Sequence, residues 1–149
     1  MPDEHNYIQL NREQRERLTQ LAETLSDTQL AQPLSGGWTI SAVLAHCAFW
    51  DRYALLHWEI WERDGMQPLL VDVESLNSAG FPSWLATPPR VAAAQAQEAA
   101  EAIDHKVENL DPTLVDKFLV EKYGLWRLHT YEHRGEHLDE LEKALAEQR

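Results

Sequence analysis

Apolar residues recur at intervals of three and four along this chain, and no stretch alternates as a strand would. Such periodicity leaves helices packed on helices as the available architecture. Asn11 with Gln14 three residues on is a capping-box pattern, predicting a helix to about residue 26 with Leu18, Leu21 and Leu25 as its apolar stripe. Pro33 and the pair Gly36-Gly37 keep the following stretch out of helix. Thr39 is the expected N-cap of a second helix over roughly 40–63, which places Val43, His46, Trp50, Tyr53 and His57 on one face. Gly65 and Pro68 end it. Residues 66–87, with Asn77, Gly80, Pro82 and Trp84, read as a long irregular connection, serving either as a lid or pocket wall or as a crossover.

Thr87-Pro88 looks like a cap followed by proline at the first helical position, opening a third helix to about Leu110. Its stripe of Ala92, Ala96, Ala99, Ile103 and Val107 suits close packing. Asp111-Pro112 breaks the chain, and residues 113–124 are ambiguous. From about Leu125 a fourth helix is expected to carry Trp126, His129, His133 and His137 on one side. The expectation is therefore an all-α protein, a single domain over residues 1–149 with four helices in one bundle.

At 149 residues the chain is long enough for a genuine core. A formal charge of −12 and the lack of any basic cluster argue against nucleic acid as a partner. No window approaches the roughly 20 apolar residues of a membrane span, so no membrane association is expected. The opening Met1-Pro2-Asp3-Glu4-His5-Asn6 is polar and acidic, without the marks of a secretory leader. One cysteine, Cys47, precludes an internal disulfide and fits a reducing compartment, so a cytoplasmic location is expected.

The chemistry lies in the histidines. His129, His133 and His137 follow one another at spacings of four, and residues four apart on a helix are offset by only about 40° and about 6 Å. Neighbouring members can turn two imidazoles towards one point, as a helix does when it presents a divalent metal. One helix supplies two such ligands, so a third must come from elsewhere, and His46 on the second helix is the best donor. His57 lies about 16 Å further along that helix and cannot join the site. Cys47 projects about 100° away from His46 and reads as a small buried residue. Trp50 and Trp126 are placed to wall an apolar pocket over the site or simply to pack, and Tyr53 is a weaker candidate donor. Gly135 either permits close approach of the second helix or is merely tolerated. The string His133-Arg134-Gly135-Glu136-His137 matches the inverted zinc-peptidase signature. Those enzymes need a downstream acidic ligand, and the tail after His137 is too short. Glu132 and Glu136 are expected to face water or to brace a ligand.

The run Gly37-Trp38-Thr39-Ile40-Ser41-Ala42-Val43-Leu44-Ala45-His46 and the run Thr130-Tyr131-Glu132-His133-Arg134-Gly135-Glu136-His137-Leu138 resemble the two signatures of the DinB-like superfamily. That group includes the YfiT-type proteins and the thiol-dependent maleylpyruvate isomerases. The resemblance implies a four-helix bundle with a long crossover connection between helices two and three. It also implies a zinc or nickel ion held by His46, His133 and His137, with His46, His129 and His133 as the rival register.

An open site of three neutral imidazoles can acidify a bound thiol or water. The resemblance favours a low-molecular-weight thiol co-substrate attacking a small electrophilic substrate, as an S-transferase or isomerase; hydrolysis by an activated water is the other reaction class. A non-catalytic metal- or ligand-binding stress protein is the alternative. Homodimers are common among similar bundles, though no residue here demands one.

Overall fold

The computed structural model describes residues 5–148. The opening residues 1–4, on which the expectation about a leader partly rested, lie outside the described residues. The described chain is all-helical, with no strand; a lone bridge joins Pro33 to Thr39. In order the helices are α1 (Tyr7–Thr24), α2 (Asp27–Leu30), α3 (Ile40–Asp64), α4 (Val73–Ala86), α5 (Pro89–Glu108), α6 (Pro112–Glu121) and α7 (Thr130–Glu147). Short 3-10 turns at Ser35–Gly37 and Leu125–Arg127 precede α3 and α7. Among the described residues no helix is long and apolar enough to cross a membrane.

α3 is the axis of the structure. Thr39 caps it, its hydroxyl accepting from the Ala42 N–H at 3.1 Å, and Gly65 at φ 89° ends it. Most of its residues from Ile40 to Ala48 are buried, because it packs on α5, α4 and α7 together. α5 offers α3 a face of Ala92, Ala93, Ala96 and Ala100, small enough to let the two backbones approach. α1 lies against both α5 and α7. One apolar cluster gathers Leu18, Leu30, Ile40, Leu44, Leu138 and Leu141. A second gathers Trp58, Trp61, Ile103, Val107, Phe118 and Leu128 towards the other end of α3.

Four sequence expectations are corrected. The helix of the capping-box pattern begins at Tyr7, so Asn11 is interior to it and wholly buried. Its amide donates to the Leu128 carbonyl at 3.0 Å and its carbonyl accepts from the Tyr131 N–H at 2.9 Å. Asn11 therefore caps the first turn of α7 across the structure instead of its own helix. The stretch read as irregular contains α4, started by the Asp72 carboxylate accepting from the Ser75 N–H at 3.1 Å. Gly80 and Pro82 both sit inside α4, where packing on α3 overrides their low propensity. The ambiguous stretch forms α6, capped by Asp111, and Thr87-Pro88 closes α4 so that α5 starts at Pro89. Finally, the last helix begins at Thr130, and His129 is its capping residue, following the separate 3-10 turn that carries Trp126.

Candidate metal centre

His46 and the pair His133 and His137 come together where α3 meets α7. Among the described residues they form a group whose ligand atoms all lie within 4.8 Å of one another. The Nε2 atoms of His46 and His133 are 3.2 Å apart, and those of His133 and His137 are 3.0 Å apart. A tetrahedral zinc–nitrogen site with bonds of about 2.0–2.1 Å would separate its donors by roughly 3.3 Å. The rings are tilted or edge-on to one another, at 58°, 80° and 89°, so their Nε2 atoms converge without the rings stacking.

Each ring is held differently. His137 sits over the Glu140 carboxylate, with Nδ1 and Oε2 3.3 Å apart. Donation from Nδ1–H to that oxygen leaves the lone pair on Nε2, facing the other rings. His46 is buried edge-on between Trp38 and Trp84, at centroid distances of 5.6 and 5.0 Å, and its Nδ1 has no hydrogen-bond partner. Burial, then the nearby His137 and His133, pushes its pKa down to about 3. Burial likewise pushes His133 down to about 4, with His137 and Arg134 adding to the effect. Both rings are thus neutral, which is the ligating form. Three imidazole nitrogens converging on one point fit a cation, and the residues present match the donor set of an open divalent site.

Trp84 reaches His46 only because of Gly80. A Cβ at Gly80 would fall 2.4 Å from the Trp84 ring, so the indole lies back along its own helix over a position that must lack a side chain. From sequence this glycine is only one residue of a stretch read as an irregular connection. Gly135, by contrast, faces α1: a Cβ there would lie 3.4 Å from the Gln14 side chain, so it does not serve the approach of α3.

The site opens on a cavity of about 640 Å³. Trp38, Trp50, Trp126, Val43 and Val73 line it, together with the three histidines. The Trp50 indole N–H donates to the Asn77 side-chain oxygen at 2.8 Å, which ties α4 to α3 at the cavity wall. Part of the stretch that sequence left as lid, wall or crossover is thus wall, supplied by Val73 and Asn77.

The remaining candidates lie elsewhere. His129 is buried beside Tyr7 and Tyr131, at ring distances of 6.2 and 5.5 Å, and does not belong to the converging group. His57 accepts from the Arg127 guanidinium at 2.8 Å, and burial and that charge push its pKa down to about 4. Cys47 is buried, and burial drives its thiol pKa up, so it is no nucleophile. Tyr53 packs against Phe49 and His57 and does not line the cavity. Glu132 and Glu136 are exposed, and the carboxylate at a candidate ligand is Glu140, three residues after His137. Sequence could have found it from that spacing, since i and i+3 share a helix face.

Sequence reasoning also missed the charged layer behind the site. Arg134, next to His133, is 2% exposed and reaches Asp104 at 3.0 Å and Asp51 at 3.3 Å. Arg15 and Thr130 complete the coordination of Asp104, each at 2.8 Å. The layer joins α1, α3, α5 and α7 and sets the rotation of α7 that turns His133 and His137 towards α3.

The family model described as the DinB superfamily matches residues 10–141. No curated protein and no solved structure matches the chain.

Proposed function

The chain belongs to the DinB superfamily, and from that premise we propose that it is a divalent-metal-dependent enzyme acting on a thiol co-substrate. His46, His133 and His137 would hold zinc or nickel, and a small electrophile would receive the sulfur in an S-transfer or isomerisation. We read α1, α3, α5 and α7 as a four-helix bundle in a single domain, with α4 in the crossover between its second and third helices. A cytoplasmic location and a homodimer belong to the same reading.

The observation that carries the proposal is the convergence of three Nε2 atoms at the wall of an apolar cavity. When bound there, a divalent ion supplies Lewis acidity and lowers the pKa of a coordinated thiol or water. The protein's own residues do the rest. Glu140 fixes the tautomer of His137, Trp38 and Trp84 hold His46, and the indoles of Trp50 and Trp126 exclude water. The thiol reading is preferred to hydrolysis for two reasons. A thiol with a pKa of about 8.5 needs far less acidification than water. The cavity's carboxylate, Glu140, pairs with His137, which gives it a role at the ligand rather than as a general base for water.

Elemental analysis of the untagged protein and its single variants tests the ligand set. His46→Ala and His137→Ala should lose the metal, whereas His129→Ala should keep it. Metal loss on replacing His129 with His137→Ala harmless would reverse the assignment. Absence of bound metal, with no thermal shift on adding zinc or nickel, would leave only a helical protein whose histidines pack. Loaded protein that turns over none of a panel of low-molecular-weight thiols and electrophiles would favour the non-catalytic, metal-binding stress protein.

A further inference from the structure

We propose that the ligand of this cavity is an uncharged aromatic or apolar molecule that carries no carboxylate beyond the atom held at the histidines. The inference rests on the metal-site reading above and concerns what surrounds the reacting atom.

Trp38, Trp50, Trp126, Val43 and Val73 give the cavity an indole and aliphatic wall, and no lysine or arginine lines it. Its charged residue is Glu140, a carboxylate, which repels a ligand anion. Of the cations behind the wall, Arg134 is held by Asp51 and Asp104, and Arg127 stacks on the Trp126 ring at 4.5 Å and is itself 2% exposed. Its N–H groups are engaged by His57, the Tyr123 carbonyl and the Leu69 carbonyl. Asn77 has its side-chain oxygen taken by Trp50, leaving an amide NH2 that suits a neutral carbonyl or ether oxygen. Lys143 lines a separate groove of about 340 Å³ that shares Ser35 and Glu140 with the cavity, and it does not line the cavity itself. A carboxylate entering the cavity would give up its hydration with no basic side chain in exchange and with the Glu140 carboxylate beside it.

The test compares two thiols of one shape, benzyl mercaptan and 4-(mercaptomethyl)benzoate, titrated calorimetrically into zinc-loaded and zinc-free protein. Benzyl mercaptan should bind the loaded protein about tenfold or more tightly than its carboxylate analogue. Val73→Lys, at a half-exposed wall position, should narrow that ratio by strengthening the carboxylate alone. Equal or tighter binding of the carboxylate, with zinc still strengthening both, would overturn the inference and leave the metal-site reading intact. If zinc strengthens neither thiol, the thiol reading fails instead. The inference is then judged on zinc-free protein by benzyl alcohol against 4-(hydroxymethyl)benzoate, where the same tenfold ratio upholds it and parity overturns it.

Discussion

His133 and Arg134 are neighbours on α7, yet they serve polar clusters built on opposite rules. On one side of the helix, His133 meets His46 and His137 with Nε2 atoms facing one another, and a cavity opens beside them. On the other, Arg134 meets Asp51 and Asp104 with opposed charges in the buried interior. The charged layer answers nearly all of its own demands: Asp104 takes bonds from Arg134, Arg15 and Thr130. The histidine cluster answers few of its own, with the His46 Nδ1 unpartnered and Nε2 atoms set against Nε2 atoms. The charged layer, short only of a partner for the Arg134 Nε, fixes structure, whereas three imidazole nitrogens converging on one point are arranged to hold something the chain does not contain. Buried polar groups are costly unless paired, so the unfinished cluster is the one that marks function.

The contrast can be broken most severely at Arg134. Arg134→Met strands Asp51 beside Asp104 in the interior and should cost about 3–5 kcal/mol in urea denaturation. Burial, with Asp104 beside it, already raises the Asp51 pKa to about 6 against the pull of Arg134. A loss under about 1 kcal/mol would mean the layer behaves like a surface pair and does not hold α7 in register.

Gly80→Ala should come next, at about 1–3 kcal/mol, because the new methyl collides with the Trp84 ring. It touches no histidine, so a fall in zinc affinity measured on the same variant would show that the Trp84 wall positions His46. Unchanged affinity would show that His46 is placed by α3 alone.

The mildest effect is expected at Glu140. Glu140→Gln should weaken zinc binding about tenfold in a chelator competition. The zinc-free fold should stay within about 0.5 kcal/mol of the parent, since the residue is exposed. A variant that loses stability but no affinity would place Glu140 with the structural cluster.

Much of this was legible beforehand because it is local. The Thr39 cap, the reach of α3 to Gly65 and the alanine face of α5 follow from rules that act over one or two turns. Spacing on one helix likewise made His133 and His137 a pair, since a rigid helix turns residues four apart to one side. Asn11 shows the limit: its side chain suits a cap, but the helix it caps lies 120 residues away in the chain. α4 was missed because Gly80 and Pro82 weigh against a helix locally, whereas the packing of Trp84 and Asn77 on α3 outweighs them.

Alone, then, the residues determined the helical class, the extents of α3 and α5 and the pairing of His133 with His137 on one face. Three things waited on the folded chain: the meeting of His46 with α7, the exclusion of His129 at its cap, and the indole cavity around them. Each depends on how one helix is rotated against another. At those helix contacts lie the buried charges of Asp51, Asp104 and Arg134 and the seat of Trp84 against His46, between residues whose spacing along the sequence carries no record of their nearness.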